Sequence, residues 1–266
     1  MLKRNKNCRF TIEEEKEIIE KYLNGSGGTI LGKEYSCSPD TIRNILKAHN
    51  IKRRSLKEAR RTSIDLDEKA FEEITNPEQS YWVGFIYADG YLSKTNKYTN
   101  YFGISVAERD IDILHKFKSF LKYNGEIKHY TQTSGFSNNS KYVRLLIGSN
   151  KIVSDLEKYG VVQNKSLLID SMPEIPFLND FIRGVIDGDG SIRKSNGQLR
   201  ISGNYNFLKE IGDYLKEPYN LRKDKTIYSL EFSLSSSRKI LKKVYSNSTV
   251  YLERKYKLAN TFSPLT

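Results

Sequence analysis

The chain has 266 residues, 38% of them hydrophobic, which is enough for a small domain beside a larger one with an ordinary core. A net charge of +12 favours polyanionic partners, chiefly nucleic acids. No apolar run reaches the roughly eighteen residues of a membrane span, and MLKRNKNCRF lacks the apolar core of a signal peptide, so a cytoplasmic, nucleoid-associated protein without membrane contact is expected. 

Thr11 with Glu14 predicts a capped helix that ends at Asn24-Gly25, and a second short helix is predicted over about Thr29 to Tyr35. Ser38 and Pro39 open a third, whose inner stripe is Ile42, Ile45 and Leu46. This is a helix-turn-helix pattern over residues 1–51. Asp40, Thr41, Arg43, Asn44 and Lys47 lie off the apolar stripe of the third helix, where they would face a DNA groove or form a solvated face. Lys52, Arg53, Arg54, Lys57, Arg60 and Arg61 follow in a basic run suited to a phosphate backbone. A linker is expected over 52–76. Cys8 and Cys37 show no CxxC spacing, and His49, His115 and His129 are widely separated, so neither a disulfide framework nor a zinc or His-Asn-His site is indicated.

From residue 77 the sequence repeats itself. WVGFIYADG (82–90) is matched by IRGVIDGDG (182–190): Gly84 answers Gly184, Asp89 answers Asp189 and Gly90 answers Gly190. Each nonamer reads as a buried helix stopped by a left-handed glycine. In the first copy, strands are predicted at Tyr91–Ser93 and Tyr101–Ala107, a helix from Ile111 to Leu121, strands at Ile127–Thr131 and Tyr142–Ile147, and a helix from Asn150 to Tyr159. In the second, strands are predicted at Ser191–Lys194 and Leu199–Ser202, a helix at Phe207–Leu215, strands at Tyr219–Arg222 and Tyr228–Leu234, and a helix at Arg238–Tyr245. VVQNKSL (161–167) aligns with LERKYKL (252–258), matching Lys165 to Lys255. The expected fold is α+β: a duplicated αββαββα unit with saddle-shaped antiparallel sheets, its halves at 77–172 and 173–266, behind the small all-α domain.

Small residues at Gly84 and Ala88, and at Gly184 and Gly188, would let two such helices approach backbone to backbone. Asp89 and Asp189 would then meet at two negative helix ends, a conflict that divalent cations relieve, and beside a basic sheet the expected substrate is a phosphodiester. DGDGSIRKSNGQ is not an EF-hand loop, because Ile192 and Gln198 occupy the glycine and glutamate positions.

The two nonamers, their spacing and the repeated plan resemble the paired motifs of monomeric LAGLIDADG homing endonucleases, from about Tyr81 to the C-terminus. The resemblance implies a monomer that lays its sheets along the major groove of a long asymmetric double-stranded DNA target and cuts across the minor groove, leaving short 3′ overhangs. It implies Mg2+ held by Asp89 and Asp189 with the carbonyls of Ala88 and Gly188. It also gives Lys165 and Lys255, with Lys257 as a rival to the latter, the task of polarising the attacking water and steadying the phosphate. Tyr87 departs from the pattern, since Asp187 holds the matching place in the second copy; activity is expected to survive. Trp82 is expected in the core. Tyr98, Tyr101, Tyr130 and Tyr142, with Arg144, Arg193, Lys194 and Arg200, are the candidate DNA contacts of this region. An intron RNA maturase and a non-cleaving DNA-binding regulator are the alternatives. A self-splicing intein is disfavoured by the ends Met1 and LANTFSPLT.

Overall fold

The computed structural model describes residues 10–54, 65–94, 99–132, 139–163 and 170–265. The chain divides into two compact units, one reaching to Leu66 with Tyr123–Gly125, the other comprising Asp67–Lys122 and Glu126 onward.

The smaller unit packs α1 (Ile12–Leu23), α2 (Gly28–Glu34) and α3 (Pro39–Ala48) around Ile18, Leu31, Ile42 and Leu46. Each predicted cap is present. Thr11 and Glu14 form a reciprocal capping box, and Ser38 Oγ accepts from the Thr41 amide ahead of Pro39. Gly32 is required by space, since a Cβ there would lie 2.8 Å from the Cys37 carbonyl.

The larger unit contains the duplication. Its first half runs α4 (Pro77–Asp89), β1 (Gly90–Ser93), β2 (Tyr101–Ala107), a 3-10 turn (Glu108–Asp110), α5 (Ile111–Phe120), β3 (Lys128–Gln132), β4 (Ser140–Gly148) and α6 (Asn150–Lys158). The second runs α7 (Leu178–Asp189), β5 (Gly190–Ile192), β6 (Leu199–Gly203), α8 (Tyr205–Leu215), β7 (Tyr219–Asp224), β8 (Ile227–Phe232), α9 (Leu234–Tyr245) and α10 (Glu253–Phe262). The sheets are antiparallel and four-stranded, ordered β1-β2-β4-β3 and β5-β6-β8-β7. Registers correspond as well: Gly90 faces Ile104 as Gly190 faces Ile201. The fold is therefore α+β with a pseudo-symmetric pair of sheets, as expected.

Alternation fixes which face each sheet buries. Leu92, Phe102, Ile104, Val106, Val143, Leu145 and Ile147 point inward in the first sheet; Ile192, Leu199, Ile201, Leu230 and Phe232 do so in the second. Trp82 is fully buried among Phe85, Phe117 and Phe120, with its ring 4.7 Å from that of Phe117. 

Some sequence expectations change. Gly90 and Gly190 are not left-handed: their φ angles are −79° and −80°, and each motif helix runs straight into a strand. Space is the reason for glycine, since a Cβ would lie 2.7 Å from the Ile86 carbonyl oxygen at Gly90 and 2.5 Å from that of Ile186 at Gly190. The expected linker over 52–76 is shorter, because Asp67–Asn76 belongs to the larger unit, where Phe71 is buried against Phe120. Finally, α9 begins at Leu234, with Ser233 as its cap, rather than at Arg238.

Candidate active site

The two motif helices, α4 and α7, pack along their lengths. A Cβ on Gly84 would overlap the Phe181 carbonyl oxygen and lie 2.8 Å from its carbon. A Cβ on Gly184 would overlap the Tyr81 carbonyl oxygen and lie 2.6 Å from the Phe85 nitrogen. At the C-terminal end, a Cβ on Gly188 would overlap the Ala88 methyl and approach the Asp89 nitrogen to 3.4 Å. Backbone thus meets backbone along the helices and again where they end, which brings Asp89 and Asp189 to one place. The side chain of Asp89 is half-buried and that of Asp189 exposed.

Lys255, on α10, reaches the C-terminal end of α7. It is only 2% exposed, and the three N–H groups of its Nζ are shared among the carbonyls of Ile186 at 2.7 Å, Asp187 at 2.6 Å, Gly188 at 3.1 Å and Gly190 at 2.6 Å. An ammonium therefore seats on the negative end of the α7 dipole. Burial pushes the Lys255 pKa down to about 8, against the pull of Asp187 and, further out, of both Asp89 and Asp189. That both motif acids act on one lysine is a second sign of their convergence.

Asp187, left without a role by the sequence, is fully buried. Its carboxylate accepts from the hydroxyls of Tyr81 at 2.8 Å and Tyr245 at 2.5 Å and from the Leu252 amide at 2.8 Å, which ties α7 to α4, to α9 and to the start of α10. Burial drives its pKa up, opposed by Lys255 and these donors. Its counterpart Tyr87 instead donates to the Tyr159 carbonyl, so the halves use different chemistry at matching positions. Arg183, also buried, donates to the carbonyls of Val250 at 3.0 Å and Val244 at 2.9 Å and pairs with Asp180 at 2.7 Å. On α10 itself, Arg254 holds Asp110 of the first half at 2.9 Å and Glu253 holds Lys116 at 2.9 Å. The helix carrying Lys255 is thereby pinned to both halves.

Lys255→Met removes the donor from four carbonyls, three of these contacts being buried, and is expected to cost about 3 kcal/mol or more in unfolding free energy. The pH dependence has a definite sign. Because the folded-state pKa is about 8 and the ordinary value 10.5, the unfolded chain binds more protons between those limits, and stability rises with pH there. Urea titrations should show the wild-type advantage over Lys255→Met widening by roughly 3 kcal/mol across that window.

The donors at the helix ends are all oxygen, namely two carboxylates and main-chain carbonyls, which suits a hard divalent cation. Among the described residues no group of three or more His, Cys, Asp or Glu side chains forms a metal site, so such a cation would complete its shell with carbonyls, waters and phosphate oxygens. The Ala88 and Gly188 carbonyls lie at this junction, and that of Gly188 already accepts from Lys255. Lys165 lies outside the described residues.

The candidate DNA contacts are dispersed. In the smaller unit Arg43, Asn44 and Lys47 are exposed on α3, Thr41 is half-buried with its hydroxyl 3.0 Å from that of Ser38, and Asp40 pairs with Arg43 at 2.9 Å. Arg53 is exposed. Arg54 departs from the expectation: its guanidinium donates to the carbonyls of Gly25 at 3.0 Å and Ser26 at 2.5 Å and lies 4.3 Å from the Tyr22 ring centre, closing the end of α1. Tyr101, Tyr130, Tyr142 and Arg144 lie on the outer face of the first sheet, and Arg200 on that of the second. Arg193 and Lys194 are exposed in the turn after β5, not on a strand as expected. Tyr98, Lys57, Arg60 and Arg61 lie outside the described residues. Among the described residues no helix is long and apolar enough to cross a membrane.

No family model matches the chain. A curated protein similar to it is the DNA-directed RNA polymerase subunit Rpo1C of Methanocaldococcus jannaschii, 24% identical over 178 residues, which is 66% of this chain. The chain spans about a fifth of that relative's length, the match covering 20% of it. Among solved structures it is similar to the LAGLIDADG homing endonuclease I-SmaMI bound to cleaved DNA, with a TM-score of 0.44, 16% identity, and 71% of this chain and 88% of that one covered. It is also similar to I-DmoI in complex with DNA and manganese, with a TM-score of 0.43, 17% identity, and 68% and 99% covered.

Proposed function

We propose that the chain is a LAGLIDADG homing endonuclease: a monomer that makes a site-specific, magnesium-dependent double-strand break in a long asymmetric DNA target by phosphodiester hydrolysis. The observation that carries this reading is the backbone contact of the two motif helices, which delivers Asp89 and Asp189 to a common end beside Lys255. The sequence repeat, the matching sheet orders and the basic charge support it.

Asp89 and Asp189 would hold divalent cations with the carbonyls of Ala88 and Gly188. Bound there, such cations supply Lewis acidity toward the phosphodiester and activation of water. The chain's own residues set the geometry. The glycine contacts fix the separation of the acids, and Asp187 with Tyr81 and Tyr245 locks the helix that carries Asp189. Lys255 offsets the negative end of α7 and would contribute positive charge close to where a phosphate would sit. Lys165 is the matching base of the first half. The helix-turn-helix unit, with Arg43, Asn44 and Lys47 outward, lengthens the target site and raises specificity.

Selection of cleaved molecules from a random duplex library in magnesium tests the proposal. A single recurring sequence cut on both strands is the expected outcome; specific binding without cutting would leave a regulator in its place. Truncation to residues 67–266 should preserve cutting while lowering affinity by about tenfold or more, read by gel shift at fixed salt.

A further inference from the structure

The outer faces of the two sheets differ in how they hold their central arginine. On the first sheet Arg144 lies on β4, a strand flanked by β2 and β3, opposite Ser105 on one side and Lys128 on the other. Its guanidinium carbon is 5.2 Å from the ring centre of Tyr130, 5.7 Å from that of Tyr142 and 5.8 Å from that of Tyr91. The rings of Tyr130 and Tyr142 are themselves stacked, 5.1 Å apart. Nε donates to Ser105 Oγ at 3.1 Å. Among the described residues no carboxylate pairs with this arginine. The aromatic rings and the Nε bond thus order the guanidinium before any ligand arrives, and the Nη fork remains as its recognition edge.

On the second sheet Arg200 is committed internally. Its Nη2 donates to Ser229 Oγ at 2.6 Å and pairs with Asp224 at 3.2 Å, and its Nε lies 3.5 Å from Glu231. Any new partner would compete with two acids. The faces therefore offer an ordered, uncompensated fork on one side and a neutralised one on the other.

We infer that Arg144 reads a guanine in the major groove, and that base discrimination is weighted toward the first sheet. This rests on the endonuclease reading above. A planar fork matches the O6 and N7 acceptors of guanine, and an interior strand of a sheet lying in a groove faces the base edges, whereas its margins face the phosphates. Lys128, on the edge strand β3 and exposed, is placed for a phosphate. An ordered side chain also loses less freedom on binding, so more of the contact reaches the affinity.

The test is binding selection from a random duplex library in a chelator, with the full chain and with Arg144→Ala, Arg144→Lys, Tyr142→Ala, Arg200→Ala and Lys128→Ala. Replacing the selected guanine should weaken wild-type binding roughly 5- to 150-fold. In Arg144→Ala the same change should cost less than about twofold, and in Arg144→Lys, which lacks the planar fork, it should cost less than in the wild type. Tyr142→Ala should fall between, and Arg200→Ala should keep the guanine. Lys128→Ala should weaken all sequences alike and lower the salt slope by about one. Arg144→Lys keeps the charge, and circular dichroism of each variant separates misfolding from lost readout. A uniform loss of affinity in Arg144→Ala, or a guanine preference that survives it, overturns the inference alone. A wild-type chain that selects no sequence and cuts nothing in magnesium overturns the endonuclease reading itself.

Discussion

Asp89→Asn and Asp189→Asn, made singly, are each expected to reduce magnesium-dependent cleavage by at least about a thousandfold while leaving DNA affinity within about twofold, because on the proposed reading each removes a hard anionic ligand from the reacting centre, and neither acid lies on a sheet. The acids stand at the ends of α4 and α7, which meet at Ala88 and Gly188. Both helix dipoles point their negative ends there, a repulsion that a neutral amide relieves while it gives up some attraction to Lys255, so the folded state should change little in stability. Lost cutting with unchanged melting temperature is the signature of a ligand. A fall in melting temperature that tracks the lost activity would instead make the acids structural. Kinetic assays on the selected target, with gel shifts and thermal melts on the same samples, provide all three readings.

Gly84→Ala and Gly184→Ala should be the most damaging single-methyl changes among the described glycines. Each new Cβ would overlap a main-chain carbonyl oxygen of the opposite helix, and backbone cannot swing aside as a side chain can. The helices must separate, and core overpacking of this kind costs about 3 kcal/mol or more when no rotamer relieves it. Separation also moves the acids apart, so cleavage should fall even at temperatures where the variant stays folded. Gly28→Ala serves as the control: it is helical, its nearest neighbour to a new Cβ is 4.0 Å away, and a gain of up to about 1 kcal/mol is expected. Urea unfolding of the three variants measures the contrast.

Local rules carried most of the fold because the chain obeys them. The caps at Thr11 and Ser38, the alternation in β2 and β4 and the apolar stripe of α3 are all short-range signals, and each element forms where its signal lies. The expectations that changed depended on distant partners. The serines that open α9 are poor helix formers, but Ser237 Oγ donates to the Ser233 carbonyl at 2.7 Å and accepts from the Leu199 amide at 2.9 Å, so a neighbouring strand supports that turn. Phe71 sits in an acidic, linker-like stretch and is recruited by Phe120.

The site followed the same division. Repetition of the nonamer paired Asp89 with Asp189, and the small residues foretold the close helix contact. Asp187 could not be interpreted because its partners Tyr81, Leu252 and Tyr245 lie 106, 65 and 58 residues away. Nor could a buried Lys255 be told from exposed lysines in a chain with 44 lysines and arginines. Arg54 looked like the rest of its basic run, and only the fold turns it back onto α1.

Asp89 and Asp189 are proposed to act on one centre. A crystal of the full chain with its selected duplex and manganese, measured at the manganese absorption edge, addresses this directly. Anomalous density lying between the two helix ends, with a carboxylate oxygen from each acid about 2.1 Å from it, is the predicted result. Manganese held by one of the two acids alone, or bound elsewhere in the chain while the DNA is cut, would contradict it.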